Sequence, residues 1–437
     1  MDGLKPLYGG LLKIPAPLEL SGNWCSHACA YCSDVDTPIM LSNLRTIPAG
    51  EVKVGDKLFG WDRSEEKTMR GIGKHGSMLV ASREWQATTV THVIHRKAKV
   101  IRAHLSNGES LVCTPDHHWF TGRTGKYEYQ TLVDRIKPDL MRLKLPLLPQ
   151  QSFTHDYMIG YVRGFAEGDG TWMPQGCWRI ASKDPEPLAR IASFLILLNL
   201  GYFDVRPYIH PVGCQQLYFP PESPVNEMIN GLDIESLEYW RGWLGGIYDA
   251  EGNTPARLNR SQPEALKISQ YQSVNPLTYD RIQRALRLFG FGYIQEPKAI
   301  RMYGGRLESA KFTQLVQPCI ERKINPLFGS TMKGCYSKFD VVAIEDWGEA
   351  DVASFETSTH NYVSAGCLSR NCFANLNAPT RTLDVKGVSR LLADYQNRNT
   401  IEGYLLRDGY PVIVSNHIDP FSTSNYRQMI PFMETMT

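Results

Sequence analysis

A duplicated α/β unit constrains the architecture of this chain more than any other sequence feature. Two helical patterns open with related sequences, YMIGYVRGFAEGDGTW at 157–172 and YWRGWLGGIYDAEGNT at 239–254. Each is followed by a strand-like segment and a helical pattern of nearly equal length in the two copies, over 180–201 and 268–290. Repeats of this size predict a domain with a pseudo-two-fold axis.

Small residues and acids lie at matching points of the two helical patterns. Glycine inside a helix costs about 1 kcal/mol, so several in one helix need a packing reason, such as close contact between two helix backbones. The glycines concerned are Gly164, Gly168, Gly245 and Gly246. Each helix then ends at an acid, Asp169 or Glu251. Two carboxylates at one dyad repel each other unless divalent cations lie between them, which predicts metal-assisted cleavage of phosphodiesters.

The segments VRGFAEGDG (162–170) and LGGIYDAEG (244–252) resemble the two copies of the motif of LAGLIDADG homing endonucleases. The resemblance implies a monomeric pseudo-dimer that binds double-stranded DNA. It also implies Mg²⁺ at Asp169 and Glu251, with one acid serving each strand. Lys183 is our candidate for a basic residue that stabilises charge at the phosphate.

The charge distribution agrees with DNA binding. Residues 257–333 hold 13 Lys and Arg against 5 Asp and Glu, an excess suited to the phosphate backbone. Two alternatives stay open: an endonuclease that has lost catalysis, and a duplicated helical domain whose acids only cap helix ends. For the neighbouring acids Glu167 and Asp249 we expect a structural role.

Strand patterns lie on both sides of the duplicated unit. From Pro38 to about Leu145, short segments alternate apolar and polar residues and break at Gly, Pro or Asn-Gly. Asn107-Gly108 is a two-residue hairpin signal. After Lys333 the same strand pattern returns in FDVVAIEDWGEADVASFETSTHNYVSAG. The duplicated unit therefore interrupts one β-rich region.

Four short pieces at the edges of this β-rich region resemble, in their order, the splicing blocks of inteins, which are Hint-type self-splicing domains. They are Cys32-Ser-Asp-Val-Asp-Thr-Pro-Ile, Thr114-Pro-Asp-His117, THNYVSAG with His360, and Ser-Arg-Asn371-Cys372. Each piece alone is weak, whereas the four in order are specific. The resemblance covers 32–371, which is 340 of the 437 residues, and it implies a horseshoe-like β domain.

The resemblance assigns the first step to Cys32. Its thiol attacks the carbonyl of Tyr31 and converts an amide into a thioester, a step that is uphill unless the peptide is polarised and the departing nitrogen receives a proton. His117 can supply this proton. The Thr114 hydroxyl can stabilise the oxyanion, a contribution of about 10²–10³ in rate per donor.

The later steps follow from the downstream junction. Cys372 captures the acyl group by transthioesterification, and Asn371 cyclises through its side-chain amide and cuts the chain before Cys372. An S-to-N shift joins 1–31 to 372–437, and His360 assists resolution of the branched intermediate.

Two positions depart from the family pattern. Arg370 stands before the terminal Asn where His is usual, and Ser354 stands where Asp is common. Arg370 can donate a hydrogen bond but cannot act as an acid near neutral pH. Cleavage at one junction without ligation is therefore a further alternative.

The flanks carry a cysteine pattern of their own. Cys25-x3-Cys29-x2-Cys32 would suit three thiolates on an iron–sulfur cluster, and splicing would put Cys372 in the third place. The joined sequence NWCSHACAYCFANLN resembles the cluster loop of radical S-adenosylmethionine enzymes. VIVSNHIDPF (412–421) resembles the branch that includes spore photoproduct lyase. The resemblance implies a [4Fe–4S] cluster on Cys25, Cys29 and Cys372, with S-adenosylmethionine at the open iron.

Alternatives to this interpretation of the flanks stay open. A zinc site or three free thiols would use the same cysteines. The joined flanks amount to 97 residues, too few for the whole partial barrel of such an enzyme, so the host looks truncated. One rival is a continuous radical enzyme that uses Cys25, Cys29 and Cys32 and carries a DNA-binding insert without splicing activity. Another is a β-rich DNA-binding regulator without chemistry.

Composition places the chain among cytoplasmic proteins without a membrane partner. It has no run of 18 or more apolar residues, and in a reducing compartment ten Cys favour thiol chemistry or metal ligation over disulfides. The sequence predicts a multidomain protein with a mainly β splicing domain (32–150 and 334–371) and an inserted α/β endonuclease domain (151–333). The flanks 1–31 and 372–437 would be fragments of an α/β partial barrel.

Overall fold

The computed structural model describes a large part of the 437-residue chain. The described residues are 5–7, 11–13, 32–62, 84–123, 126–132, 139–208, 213–253, 266–330, 332, 334–370, 393–399, 403, 406–407 and 412–413. The chain divides into two compact units, one made of Met1–Ala30 with Cys372–Thr437 and the other of Tyr31–Asn371. Within the described residues, none of the helices is both long enough and apolar enough to cross a membrane.

The first unit contains a three-stranded sheet. Its strands are β1 (Lys5–Leu7), β2 (Leu11–Lys13) and β23 (Val412–Ile413). β1 pairs with β2 in antiparallel, and β2 pairs with β23 in parallel. A 3-10 helix spans Tyr395–Asn397.

Twelve strands of the second unit form one antiparallel sheet. They are β3 (Ser33–Asp34), β4 (Pro38–Met40), β5 (Thr46–Pro48), β6 (Lys57–Trp61), β7 (Trp85–Leu105), β8 (Ser110–Cys113), β9 (Trp119–Arg123), β10 (Lys126–Gln130), β11 (Asp139–Leu143), β20 (Tyr336–Thr357), β21 (Asn361–Ser364) and β22 (Cys367–Arg370). A 3-10 helix, Ala49–Glu51, lies between β5 and β6. The strands come from both sides of the duplicated unit, so the prediction of one interrupted β region is confirmed.

The long strands β7 and β20 pair along most of their length. In the exposed part of this ribbon, basic residues of β7 lie opposite acidic residues of β20, as in Lys97↔Asp351 and Lys99↔Glu349. Opposite charges at directly facing positions favour this register over a shifted one. The hairpin expected at Asn107-Gly108 forms between β7 and β8, although four residues rather than two separate the strands.

The duplicated unit folds as two repeats of one element order. The first repeat contains α1 (His155–Asp169), β12 (Gly170–Met173), β13 (Cys177–Ser182), α2 (Pro185–Leu197), β14 (Arg206–Pro207), β15 (Gln215–Tyr218) and α3 (Pro224–Asn230). The second contains α4 (Leu237–Glu251), β16 (Gly252–Asn253), β17 (Lys267–Ser269), α5 (Pro276–Leu288), β18 (Tyr293–Glu296), β19 (Ala299–Met302) and α6 (Gly305–Val316). A short helix, α7 (Glu321–Ile324), follows. Each repeat has its own four-stranded antiparallel sheet.

Helices α1 and α4 begin in the same way and pack directly on each other. The side chain of Thr154 accepts from the Tyr157 N–H and that of Ser236 from the Tyr239 N–H, so each helix has a hydroxyl N-cap. A methyl group on Gly164 would lie 2.1 Å from the Trp243 carbonyl oxygen. Only glycine permits this approach, and the packing reason expected for Gly164 is confirmed.

The same contact recurs across the pseudo-dyad. A methyl group on Gly246 would lie 2.1 Å from the Tyr161 carbonyl oxygen, and one on Gly168 would lie 2.5 Å from the Ala250 Cβ. Gly245 lies at the edge of this interface, where an added methyl group would lie 3.3 Å from the Tyr157 hydroxyl of α1 but closer still to α6. A methyl group there would lie 2.6 Å from the Val316 carbonyl oxygen of α6, because neighbouring helix positions point about 100° apart.

The segment that ends α6 ties the duplicated unit to the large sheet. The Gln314 side-chain amide donates to the Leu44 carbonyl at 2.6 Å, and the Asn325 amide donates to the Ser42 carbonyl at 2.9 Å. Leu327 is buried in the same apolar cluster as Phe59, Trp61 and Trp85 of the sheet. The two parts of the second unit are therefore packed and hydrogen-bonded to each other.

Candidate functional site

Two groups of polar residues stand out in the second unit. We call the first the cysteine centre, which consists of Cys32, Arg96, Thr114, His117, Ser354 and Ser369. We call the second the carboxylate pair, which consists of Asp169 and Glu251.

Cys32 lies buried just before β3, with Thr114 against its backbone. Its N–H donates to the Thr114 Oγ1 at 3.3 Å, and its carbonyl oxygen accepts from the Thr114 N–H at 3.1 Å. We expected the Thr114 hydroxyl at the carbonyl oxygen of the scissile bond. It accepts from the Cys32 amide N–H, and the Tyr31 carbonyl lies outside the described residues, so its role at the oxyanion stays a prediction.

His117 links Cys32 to the downstream end of the sheet. Its Nδ1 lies 3.2 Å from the Cys32 carbonyl oxygen, and its Nε2 lies 2.7 Å from the Ser369 Oγ. A carbonyl can only accept, so Nδ1 carries the proton and Nε2 accepts from Ser369. Complete burial lowers the pKa of His117 to about 4, and the ring stacks on Trp119 at 4.4 Å. The imidazole is therefore neutral at pH 7, with its proton directed at the Cys32 backbone.

Two side chains from neighbouring strands contact the Cys32 thiol. Burial raises the pKa of this thiol, and the charge and hydrogen bond of Arg96 act in the opposite direction. The Arg96 Nη2 lies 3.5 Å from the Sγ, and a hydrogen bond with the Ser354 side chain also lowers the pKa. Sequence analysis assigned no role to Arg96, which belongs to no motif, or to Ser369, which appears only as the first residue of the Ser-Arg-Asn-Cys junction.

The downstream candidates lie around the β21–β22 hairpin. His360 occupies the turn after β20 with a left-handed φ of 56°, and its N–H donates to the Thr357 carbonyl at 2.9 Å. The next residue, Asn361, pairs with Arg370, the last described pair of the hairpin. Asn371, Cys372, Cys25 and Cys29 lie outside the described residues.

The carboxylate pair lies at the C-terminal ends of the two packed helices, where α1 ends at Asp169 and α4 at Glu251. Burial raises the pKa of Asp169. Burial and the charge of Asp169 together raise the pKa of Glu251 to about 7. The structure therefore brings together the two acids that the sequence pairs, close enough for one to oppose ionisation of the other.

Lys323 is the basic group beside the pair. It is buried, its Nζ donates to the carbonyl oxygens of Tyr248 and Asp249 at 3.0 and 2.6 Å, and its charge lowers the pKa of both acids. The sequence contains no local signal for this role. Lys183, which we had chosen, lies exposed on the connection between β13 and α2.

The two neighbouring acids make matching contacts across the pseudo-dyad. Tyr161 of α1 donates its hydroxyl to Asp249 of α4 at 2.6 Å, and Trp243 of α4 donates its indole N–H to Glu167 of α1 at 3.1 Å. Tyr161 and Trp243 occupy equivalent positions in the two helices, as do Glu167 and Asp249. Arg281 forms a further ion pair with Glu167 at 2.5 Å. These contacts fit the structural role expected for both acids.

The carboxylate pair also meets the chemical requirement for a divalent cation. Mg²⁺ prefers oxygen ligands and binds through one or two carboxylates together with substrate phosphates, and a cation would offset the repulsion that raises the pKa of Glu251. In the part of the chain that the structure describes, no group of three or more His, Cys, Asp or Glu could hold a metal ion. Any metal at this pair would need ligands from the substrate or solvent.

No protein-family model matches the sequence, and no curated protein matches it either. Among solved structures, the gp41-1 intein is 17% identical with a TM-score of 0.17, and the match covers 26% of this chain and 68% of that one. A bacterial intein-like domain from Clostridium thermocellum is 15% identical with a TM-score of 0.19, over 25% and 66%. I-DmoI in complex with DNA and Ca is 14% identical with a TM-score of 0.28, over 40% and 94%. These TM-scores are too low to assign a fold or a function.

Proposed function

We propose that residues 32–371 are an intein that splices itself out of the chain. The observation that supports this most is the set of contacts on one buried residue. Thr114 contacts the amide nitrogen of Cys32, His117 its carbonyl oxygen and Arg96 its thiol. A cysteine that only filled the core would need no polar group at each of these positions.

In the first step, Cys32 Sγ attacks the Tyr31 carbonyl carbon and the Cys32 nitrogen departs. Thr114 Oγ1 holds the N–H of that nitrogen. His117 rests neutral with its proton on Nδ1, beside the Cys32 backbone. A second proton, taken up on Nε2 from solvent, would make the ring an acid that can protonate the departing nitrogen. Ser369 holds this tautomer by donating to Nε2.

For the later steps we propose the roles that the resemblance assigns. Cys372 accepts the acyl group and Asn371 cyclises. His360 precedes Asn361, whose partner in the hairpin is Arg370, and Asn371 is bonded to Arg370. This arrangement supports His360 as the residue that assists at the downstream junction.

We propose a second activity, cleavage of double-stranded DNA, for the duplicated unit. Its support is the carboxylate pair at the ends of two glycine-packed helices, with the buried Lys323 beside it. When bound, Mg²⁺ would neutralise charge on the scissile phosphate. Asp169 and Glu251 would hold the cation, and Lys323 would lower their pKa so that both are ionised when it binds.

For the flanks, the proposal of a radical S-adenosylmethionine protein rests on the sequence resemblance alone. Cys25, Cys29 and Cys372 would hold the [4Fe–4S] cluster after splicing. These residues lie outside the described part of the chain.

Mass spectrometry after expression of the full chain tests splicing. We expect a released 340-residue product, residues 32–371, and a joined 97-residue product. Cys32→Ala should leave only the full-length chain, whereas Cys214→Ala, which removes a partly exposed thiol elsewhere, should splice like the wild type. Only full-length chain from the wild type, unchanged by Cys32→Ala, would support the continuous radical enzyme instead. Release of one flank without joining would indicate single-junction cleavage.

A DNA-cleavage assay tests the endonuclease. The substrate is a plasmid in which the codons of Tyr31 and Cys372 are adjacent, incubated with Mg²⁺ or with EDTA. We expect cleavage that is lost in Asp169→Asn and retained in Glu222→Gln, which changes an exposed acid of the same domain. A wild type that never cuts this plasmid would overturn the proposed activity.

A further inference from the structure

The strand register places Arg96 and Cys32 on the same face of the large sheet. β20 lies between β7 and β3, with Val352 paired to Arg96 on one side and to Asp34 on the other. Directly paired residues point to the same face, and positions two apart on a strand share that face. Cys32 therefore lies on the face of Arg96, next to β20. The 3.5 Å separation of Arg96 Nη2 and Cys32 Sγ follows from this register.

From this geometry we propose that Arg96 is a catalytic residue of thioester formation, which stabilises the Cys32 thiolate at the moment of attack. This inference rests on the splicing function proposed above. Ser354 assists by donating a hydrogen bond to the same sulfur atom. Arg96 belongs to no motif of the sequence, and Ser354 stands at the position of the downstream block where Asp is common.

The other groups around the thiol do not supply this charge. Asp116 opposes ionisation of Cys32, and His117 is neutral because it is fully buried. Cys113 of β8 and Tyr362 of β21 interact with the thiol, and burial raises the pKa of each. Among the described groups that act on the sulfur, Arg96 is thus the one that brings a positive charge to it.

The covalent step balances with this assignment. Cys32 loses its thiol proton to solvent, and the thiolate is held by the Arg96 guanidinium. The sulfur forms a bond to the Tyr31 carbonyl carbon, and the bond between that carbon and the Cys32 nitrogen breaks. His117, transiently protonated on Nε2 from solvent, gives its Nδ1 proton to the departing nitrogen and is left neutral. Arg96 remains charged throughout, because its proton is not lost at accessible pH.

The test uses the full chain with Asn371→Ala and Cys372→Ala, so that the reaction stops at the thioester. Dithiothreitol then releases residues 1–31 at the rate of thioester formation, measured from pH 6 to pH 10. Arg96→Met removes the charge and keeps an apolar stem, and Arg96→Lys keeps the charge. Lys97→Met is the matched control, because the neighbouring residue on the strand points to the other face.

We expect Arg96→Met to raise the pKa of Cys32 by about 1–3 units, the usual effect of losing one close opposite charge. Each unit of pKa lowers the fraction of Cys32 present as thiolate about tenfold, while the remaining thiolate becomes about threefold more nucleophilic. The rate at pH 7 should therefore fall about 3- to 50-fold, and the deficit should narrow only where the pH exceeds the pKa of the parent thiol. Arg96→Lys should recover most of the rate, and Lys97→Met should match the parent protein.

A second measurement distinguishes a failure of the proposed splicing function from a failure of the role proposed for Arg96. The thiolate absorbs at 240 nm, so the titration of Cys32 is followed as the difference in absorbance between each protein and its Cys32→Ser counterpart. This difference reports on the one thiol whether or not a thioester forms. If no thioester forms in the parent protein, the splicing function fails, while the titration still decides the role of Arg96. An unchanged rate at pH 7, or an unchanged Cys32 titration in Arg96→Met, would overturn the inference.

Discussion

Glu251→Gln should stabilise the metal-free protein, and the size of this effect should depend on pH. Burial and the charge of Asp169 raise the pKa of Glu251 from 4.5 to about 7. Between these two values the folded protein holds a proton that the unfolded chain has lost, so stability falls as the pH rises through this window. Glutamine has the same shape as the protonated acid and removes this loss.

The magnitude follows from the shift. A change of about 2.5 units corresponds to about 3 kcal/mol at 1.36 kcal/mol per unit. Glu251 is only partly buried, and solvent screening reduces the expected gain to about 1–2 kcal/mol at pH 8. At pH 5 the wild-type side chain is largely protonated in the folded state, and the gain should be close to zero.

Urea unfolding in EDTA, at pH 5 and pH 8, measures the difference in a background that cannot splice, such as Cys32→Ala. Glu235→Gln, which changes an exposed acid before the same helix, is the control and should be neutral at both pH values. Mg²⁺ at pH 8 should stabilise the Glu251 protein and leave Glu251→Gln nearly unchanged. Equal stabilisation by Glu251→Gln at both pH values would mean that packing, not charge, separates the two side chains, and would refute the reasoning.

Three further predictions concern other contacts. Gly246→Ala should lower the free energy of unfolding by about 1–3 kcal/mol, because its methyl group would meet the Tyr161 carbonyl; urea unfolding measures this. Ser369→Val should slow thioester formation about 2- to 10-fold, the loss of one buried hydrogen bond to His117, and Ser369→Thr should restore the rate. Lys323→Met should raise the pKa of the carboxylate pair and so move the DNA-cleavage profile to higher pH; an unmoved profile would contradict this.

Local patterns in the sequence predicted those features of the molecule that are set by residues close together in the chain. The acids at the helix ends and the packing glycines could be identified because helices repeat with a fixed period. Gly246 meets the α1 backbone, whereas Gly245, one step around the helix, lies closest to the end of α6 and touches only side chains of α1. The sequence does not distinguish these two positions. The repeat predicts that two helices pair, but which residues of each helix face the other depends on the tertiary packing around them.

Sequence analysis missed Arg96 and Lys323 for a different reason. Arg96 reaches Cys32 only because β20 lies between β7 and β3 in one particular register. Lys323 reaches the carboxylate pair only because the chain on both sides of it is held to the connection between β4 and β5, by Gln314 at Leu44 and by Asn325 at Ser42. Such proximities depend on long-range pairing, which leaves no spacing signal in the sequence.

The strand pairing also explains how one domain can interrupt another without disrupting it. Leu143, at the end of β11, pairs directly with Tyr336, at the start of β20, so the chain leaves the large sheet and returns to it at adjacent positions. An insertion whose ends lie side by side requires no rearrangement of the host. The segment proposed to splice has the same property near its own ends. His117 touches the Cys32 carbonyl with one nitrogen and Ser369 with the other. Acyl transfer between two junctions requires that these ends lie close together, because the acceptor must be held within reach of the thioester.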